Sequence, residues 1–427
     1  MKKTIFIFAC FVLCNTAQQA LAGGYLTNTN QSISFLRNPS RDAAIGIDGV
    51  YTNPAGVAFL PDGWHFQFNW QNVHQSRDSK VYNDAFEKNL NNPHLPHTYK
   101  GKVNVLIQPS LFLDYNKNDW SFQFGFGFIG GGGGCEFNDG VGLFESLVAN
   151  MTMGLPYSYD SYMKGESYDL GFSLGAARKL TKELSVFGGV RAIYGINSYE
   201  GYIRNIQVAG NDVGKNFGID CNQTAFGIAP VIGLDWQPNN HWNIATKYEF
   251  KTRLRFKNTA SNTDDFNALA QTQPSFQSFT DGAETAADLP SMWTVGVQYS
   301  PISTLRIMGG YHHFFDVDTK QWSSDKVGDT NEFSFGAEYD INKTIQVSAG
   351  YQKTIYDQEE DNISDLSFCL SSWSFGLGVG IRLNENVKLN AAYFKTNYDD
   401  YTKQTPPSST TYSRTNDVIG LGVEVHF

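Results

Sequence analysis

Apolar residues alternate with polar or small ones along much of the chain. The alternation is clearest at 120–128 (WSFQFGFGF), 64–70 (WHFQFNW) and 373–383 (WSFGLGVGIRL), and it returns at 419–427 (IGLGVEVHF). Because successive side chains of a β-strand point to opposite faces, each segment has one apolar, aromatic face and one face of glycine and polar residues. Lipid outside and a polar lumen inside explain this better than the dry core of a soluble sandwich.

Candidate strands with this pattern are separated alternately by short turns, such as 116–118, and by long polar loops, such as 131–164. That alternation is typical of outer-membrane barrels. The fourteen predicted strands are 64–74, 101–115, 119–130, 165–179, 184–199, 222–237, 241–256, 289–300, 303–316, 331–341, 344–356, 370–384, 386–398 and 414–427. We therefore predict an all-β fold, a 14-stranded antiparallel transmembrane β-barrel over 64–427, with a periplasmic β protein as the alternative.

Two segments precede the first strand. Residues 1–22 combine a basic start, an apolar run at 5–13 and Ala20-Leu21-Ala22, which together predict a cleaved signal peptide. Residues 23–63 lack sustained alternation but contain the apolar stretches 43–47 and 57–60. They predict an N-terminal hatch folded inside the lumen, and a disordered tail is the alternative.

Composition narrows the functional classes. The chain has 427 residues, 15% aromatic and 17% charged, with a net charge of −10. The aromatic content argues against disorder, and the acidic balance argues against a nucleic-acid partner. Beyond the signal peptide, Cys135, Cys221 and Cys369 are too widely spaced for a disulfide scaffold or a zinc site. No metal site, cofactor or catalytic combination is predicted, so an enzyme is not expected.

Several motifs resemble one family. Asn53-Pro54-Ala55, followed by the first strand, resembles the hatch signature of the FadL/TodX family of outer-membrane long-chain fatty acid and hydrocarbon transporters. Residues 136–139 (EFND) and 289–293 (LPSMW) resemble two further family segments, so that three motifs follow in the family's order. Residues 248–257 (YEFKTRLRFK) are similar to the family's basic seventh strand. The resemblance implies a monomer in a Gram-negative outer membrane, surrounded by lipid and lipopolysaccharide. Its ligand would be a long-chain fatty acid or other hydrophobic compound, taken up passively.

The resemblance also implies a kink in the third strand that opens the wall toward lipid. In this sequence five glycines follow Phe128 and Ile129, and glycine in a strand is costly to order and often marks a bulge. A bent strand with a lateral gap is predicted, and the start of a flexible loop is the alternative. The predicted lateral gate is Phe128, Gly130, Gly131, Gly132, Gly133 and Gly134.

Strand parity supplies ligand candidates. Parity in the strand 241–256 directs Tyr248, Phe250, Leu254 and Phe256 toward lipid and the intervening cations toward the lumen. A carboxylate held away from water needs a cationic partner. The carboxylate candidates are Arg191, Lys247, Lys251 and Arg306, and those for an alkyl tail are Phe187, Ile193, Met308 and Leu106. Where the family has a basic residue late in the fifth strand, this sequence has Ile196, so Arg191 is a substitute. The alternative is that these cations only pair with lumen acids such as Glu249.

Other functions remain open at this stage. Residues 141–151 show helical spacing of apolar residues and predict a helix within the loop 135–164. A barrel of this type could instead be a secretion-associated or structural component that binds a partner protein, or an open porin for polar solutes.

Overall fold

The structure of the chain is a computed structural model that describes residues 31–320, 327–357, 362–365 and 367–427. The predicted signal peptide and the first predicted hatch residues, 23–30, lie outside these ranges. Most of the described chain forms one antiparallel sheet, which closes on itself because its first strand pairs with its last.

The sheet contains eighteen strand segments. They are β1 Gly63–Tyr82, β2 His97–Lys117, β3 Trp120–Phe137, β4 Tyr157–Lys179, β5 Leu184–Val208, β6 Asn211–Asp212, β7 Phe217–Asn239, β8 Trp242–Glu249, β9 Arg255–Ala260, β10 Glu284–Ala286, β11 Ser291–Ile302, β12 Leu305–Phe315, β13 Thr330–Asp340, β14 Ile345–Ile355, β15 Ser372–Arg382, β16 Val387–Tyr398, β17 Tyr401–Thr405 and β18 Ser408–His426. The α-helices are α1 Ile33–Arg37, α2 Gly142–Thr152, α3 Asp264–Thr272 and α4 Pro274–Gln277, and short 3-10 helices cover Ile47–Val50, Gly56–Phe59, Asp84–Lys88 and Asp316–Asp318.

Fourteen strands make the wall. The short β6 and β17 only extend hairpins formed with β5 and β18. β8 and β9 are two halves of one wall strand, and β10 and β11 are two halves of the next. The predicted 14-stranded antiparallel barrel is therefore confirmed. Helix α2 confirms the predicted helix, and no helix among the described residues is long and apolar enough to cross a membrane.

The two faces of the wall follow the predicted parity over most of the barrel. Outward side chains such as Phe335 and Leu421 are 60% and 53% exposed, whereas inward Gln67 and Asn69 are fully buried. At the long-loop end, β4 and β5 continue well beyond their predicted limits. The alternation signal ends earlier than the strands because, beyond the bilayer, the outer face of a strand meets water and no longer needs apolar side chains.

One predicted parity is wrong. The chain leaves the ladder between Glu249, the end of β8, and Arg255, the start of β9. Phe250 stays on the outside, but Leu254 and Phe256 are 1% and 3% exposed and lie in a buried cluster in the lumen. A parity count holds only through continuous extended backbone, so the irregular residues 250–254 reset it.

The glycine run lies within β3 and changes its pairing. On one side β3 follows β4 with register shifts between Phe128 and Gly130 and between Gly130 and Gly133. On the other side, the described residues 104–110 of β2 and 127–134 of β3 share no ladder pairs. Gly131 and Gly133 have φ of 84° and 78°, the left-handed region that favours glycine. The wall is thus unpaired between β2 and β3 over this stretch.

β2 is also distorted beside that stretch. Gln71 of β1 faces Gln108, but Val73 faces Val105, so two residues of β2 oppose one of β1 and form a β-bulge. Asn72 lies opposite the bulge and its amide donates to the carbonyl oxygen of Val105 at 3.3 Å. The bulge and the glycine run lie on the two sides of the unpaired stretch.

The N-terminal segment, here residues 31–62, is almost entirely buried and packs against inward-facing wall side chains. Ser32 begins α1 by accepting a hydrogen bond from the Phe35 backbone. Arg37 ends the helix and donates to Gln346 and Ser348 of β14 and to Asn390 of β16, at 2.5, 2.9 and 2.5 Å.

Candidate functional site

The Asn53-Pro54-Ala55 motif lies against the wall near the short-turn end. The Asn53 side-chain amide donates to Asp235 Oδ2 at 2.6 Å, and its Oδ1 accepts from the backbone N–H of Gly56 at 3.2 Å. Asn243 donates to the same Asp235 oxygen at 2.9 Å. Asp235, which is fully buried, therefore ties this turn to β7 and β8.

The next two residues of the motif contact other strands. The carbonyl oxygen of Pro54 accepts from Gln123 Nε2 of β3, and that of Ala55 accepts from Ser185 Oγ of β5, both at 2.7 Å. Phe187, a predicted tail contact, packs against Ala55 in a small buried cluster. The motif thus holds the N-terminal segment directly behind the lower part of β3.

Gln31 spans the unpaired stretch of the wall. Its side-chain amide donates to the carbonyl oxygen of Phe128 on β3 at 2.5 Å, and its own carbonyl oxygen accepts from Ser110 Oγ on β2. A cavity of about 10 Å³, lined in part by Tyr51 and Ile129, lies behind this contact. Since that is about the space of one water molecule, the wall is closed here by the N-terminal segment.

The centre of the lumen is apolar and filled. Ile193, a predicted tail contact, is buried in a cluster that joins the N-terminal segment to five wall strands. The cluster contains Ile47, Val50, Tyr51, Val57, Phe112, Ile129, Ile193, Ala225, Leu254 and Phe256. The N-terminal segment fills this space. An alkyl chain could therefore bind beside the apolar wall residues only after the segment shifts.

A larger cavity of about 280 Å³ opens at the short-turn end. It lies between the N-terminal segment and the wall, and Leu60, His65, Lys388 and Val425 are among its lining residues. Its lining is mixed in polarity, unlike the central cluster.

Two predicted carboxylate-binding cations already have protein partners in the centre. Arg191 forms a buried ion pair with Glu249, and its guanidinium lies 4.4 Å from the ring centroid of Tyr51. Lys247 donates from Nζ to the carbonyl oxygen of Tyr51 at 2.8 Å. Both cations therefore hold the N-terminal segment through Tyr51.

The other two candidate cations are also engaged. Arg306 forms ion pairs with Glu338 at 3.3 Å and Asp340 at 3.0 Å, and Lys251 donates to the carbonyl oxygen of Asp318 at 2.6 Å. The contacts of Arg306 are the pairing with lumen acids that the sequence raised as the alternative, whereas Lys251 binds a backbone carbonyl.

Two predicted tail contacts lie elsewhere. Met308 is buried beside Asn38 of the N-terminal segment, its sulfur 3.1 Å from Asn38 Nδ2. The prediction that Leu106 lines the lumen is wrong, because Leu106 is in the β2 bulge and its side chain is 70% exposed. The extra residue of a bulge shifts the parity of all that follows it.

Sequence reasoning missed two lumen arginines, Arg77 and Arg414. β1 continues to Tyr82, so Arg77 is on its inward face together with Gln75 and Ser79. The inward parity of β1 continues past residue 74, where the predicted strand ends. Extending the parity count through Gln75 to Ser79 would have placed Arg77 in the lumen. Among the described residues, no group of three or more His, Cys, Asp or Glu could hold a metal ion.

The long-loop end is closed by a second apolar cluster centred on α2 and its neighbours. Glu145 of α2 is buried there, and its Oε1 accepts hydrogen bonds from Asn89 at 2.8 Å and from Tyr157 at 2.9 Å. Its Oε2 accepts from the Tyr99 hydroxyl and lies 2.7 Å from His97 Nδ1. Burial alone would raise the pKa of Glu145, but the hydrogen bonds from His97, Tyr99 and Asn89 outweigh it and lower the pKa below its usual value.

Fold and contacts together define a closed β-barrel whose lumen is occupied by its own N-terminal segment. Several solved structures have a similar fold. The toluene transporter TodX of P. putida has a TM-score of 0.62 and 15% identity over 90% of this chain and 94% of that one. A FadL homologue of Pseudomonas aeruginosa has a TM-score of 0.64 and 12% identity over 96% and 100%.

A third similar structure is the toluene transporter TbuX of Ralstonia pickettii, with a TM-score of 0.60 and 18% identity over 94% of this chain and 99% of that one. These comparisons confirm the resemblance to the FadL/TodX family at the level of the fold. No protein-family model and no curated protein matches the sequence.

Proposed function

We propose that this protein is an outer-membrane channel for the passive uptake of hydrophobic compounds, long-chain fatty acids among them, with residues 23–63 as its hatch. The ligand leaves sideways into the bilayer between β2 and β3. The observation that carries the proposal is the unpaired stretch 104–110 and 127–134, which is bridged by Gln31.

The chemistry of the exit supports this route. Returning a long alkyl chain to water costs about 0.8 kcal/mol per methylene, whereas a side opening into lipid avoids that cost. The outer flank of the unpaired stretch is apolar, with Leu106 and Ile107 70% and 64% exposed. The glycines of β3 remove side chains from the opposite flank.

The relatives support the ligand class. Two of the structures with this fold are named as toluene transporters and one as a FadL homologue. This favours transport of apolar compounds over an enzyme, and it favours a Gram-negative outer membrane. That the barrel is a monomer surrounded by lipid and lipopolysaccharide remains part of our proposal. The predicted signal peptide would deliver the chain there.

A reversible clamp across the exit tests the proposal. In a variant with Cys135, Cys221 and Cys369 changed to Ser, we would introduce Val105→Cys and Gly133→Cys. A Cβ at Gly133 would lie 3.9 Å from that of Val105, within the range of a disulfide. The positive φ of Gly133 strains this substitution equally in the oxidised and reduced forms, so uptake is compared within one variant.

Oleate uptake should fall severalfold on oxidation and recover on reduction. The matched control is Ala337→Cys with Ala349→Cys, a pair that faces across the unbroken β13–β14 ladder. Oxidation of the control should leave uptake unchanged. Equal uptake by both forms of the Val105–Gly133 variant would contradict exit through this wall.

A further inference from the structure

Two arginines face each other inside the barrel. Arg77 of β1 and Arg414 of β18 are directly opposite in the ladder that closes the sheet. Both are on the inward face, since Gln75 and Ser79 on β1 and Tyr412 on β18 share their parity and are buried. Like charges directly opposite in a sheet repel and destabilise it, so the arrangement needs a compensating group.

Within the described residues, neither arginine has a carboxylate partner. The Arg77 guanidinium instead lies 4.7 Å from the ring centroid of Phe368. The Arg414 guanidinium lies 4.5 Å from the ring centroid of Tyr398. Nη2 of Arg77 and Nε of Arg414 are buried without a hydrogen-bond partner in this part of the chain. Both side chains are partly buried. A buried donor atom without a partner costs free energy, and a bound anion would satisfy it.

The four cations predicted from the sequence differ from this pair. Arg191, Lys247, Lys251 and Arg306 each have a carboxylate or a backbone carbonyl as partner. An incoming anion at any of them would have to displace that partner. Arg77 and Arg414 carry free donor groups, and guanidinium groups match the two oxygens of a carboxylate.

We propose that Arg77 and Arg414 form a binding site for the carboxylate of an amphiphilic ligand. The site rests on the proposed function and narrows it, because it favours ionised fatty acids over neutral hydrocarbons as ligands. It lies on the long-loop side of the unpaired wall stretch, because Arg77 pairs with Gly101 of β2, ahead of residues 104–110.

The path from this site toward the wall opening is short. On the inward face of β1, Arg77 is followed by Gln75 and Val73, and Val73 pairs with Val105 at the end of the unpaired stretch of β2. Four residues of strand span about 13 Å at about 3.3 Å per residue. A carboxylate held by the arginines therefore allows its alkyl tail to reach Val73 and Val105, which pack against the same buried apolar cluster.

Binding of a matched pair of probes tests the site. Dodecanoate and 1-dodecanol share the alkyl chain and differ in charge, and affinities are measured above neutral pH on the full chain in amphipol. Arg77→Gln and Arg414→Gln should each weaken dodecanoate binding about tenfold or more, the range for a lost hydrogen bond to a charged group. Dodecanol binding should stay within about twofold, since its hydroxyl carries no charge to be neutralised.

The control is Arg204→Gln. Arg204 also stacks on an aromatic ring, that of Tyr202 at 4.1 Å, but it is exposed in β5. Its replacement should change neither affinity. If Arg77→Gln and Arg414→Gln weaken the binding of dodecanoate and dodecanol to the same degree, the proposal of a carboxylate site is overturned. Failure of both probes to bind the wild type would contradict the proposed function as well.

Thermal stability without ligand separates binding from a structural role. If the arginines bind a ligand anion and have no anionic partner in the protein, removing one of the two repelling charges should leave the unfolding temperature unchanged or raise it. The acidic run Glu359-Glu360-Asp361 lies outside the described residues, so its neutral variant, Glu359→Gln with Glu360→Gln and Asp361→Asn, is measured in parallel. If Arg77→Gln and the neutral variant both lower the unfolding temperature by the same amount, the arginines pair with the acidic run of the protein itself. That result would overturn the proposal.

Discussion

The side-chain amide of Gln31 donates to the carbonyl oxygen of Phe128 at 2.5 Å, at a point where β3 has no pairing with β2. The N-terminal segment thus supplies a hydrogen bond that the neighbouring strand does not. If the proposed exit opens here, we expect the opening to be coupled to movement of the segment, because a shift of Gln31 would uncover the unpaired backbone of β3.

Replacing Gln31 should therefore loosen the closure. Gln31→Ala removes one neutral hydrogen bond, worth about 0.5–1.5 kcal/mol, and leaves the rest of the segment anchored. Oleate uptake by cells should rise, with little change in the unfolding temperature. Gln404→Ala, at an exposed position of β17, is the control. Uptake that stays at the wild-type level would separate Gln31 from gating.

Arg191 is expected to act through stability. Arg191→Ala leaves Glu249 buried without its ion-pair partner, which typically costs about 3–5 kcal/mol. The double variant Arg191→Ala with Glu249→Ala should recover much of that loss in chemical unfolding. If the single variant unfolds like the wild type but binds dodecanoate poorly, Arg191 is a ligand contact after all.

The Asn53-Pro54 turn should control how firmly the N-terminal segment sits. Asn53→Gly with Pro54→Ala removes the hydrogen bond to Asp235 and the fixed φ of proline. Protease should then cut within residues 31–62 and oleate uptake should change, while the barrel keeps its heat-modifiable migration on gels. Wild-type protection together with wild-type uptake would argue against this role.

Acid should loosen the cluster around α2. Because the pKa of Glu145 is lower in the folded protein than its ordinary value of 4.5, its ionised form stabilises the cluster above that pH. This stabilisation is lost as the pH falls from 4.5 through the lower folded value. Limited proteolysis of residues 138–156 should increase over that window, and Glu145→Gln should remove the pH dependence. An identical acid response in Glu145→Gln would point to another group.

The sequence predicts the wall well because parity is a local property. Every predicted strand is present, and the glycine run falls where the β2–β3 pairing is interrupted. Parity fails where the backbone departs from an extended strand, as at the β2 bulge beside Leu106 and before Leu254. Both departures depend on contacts with other strands, which a single segment does not encode.

The candidate site was harder to predict for a related reason. Lumen cations can be found from parity, but whether each has a partner depends on residues far away in sequence, such as Tyr51 for Lys247. Arg77 was missed because β1 extends beyond the apolar alternation, where lipid no longer selects the outward side chains.

The route of the ligand is the central claim, and photo-crosslinking tests it most directly. A fatty acid with a diazirine near the end of its tail would be irradiated during uptake through the barrel in a bilayer, and labelled residues identified by mass spectrometry. Exit between β2 and β3 predicts labels on Leu106, Ile107 and Phe128. Labels confined to Leu60 and Val425, in the cavity at the short-turn end, would show that the ligand leaves through the bottom of the barrel and would contradict the lateral route.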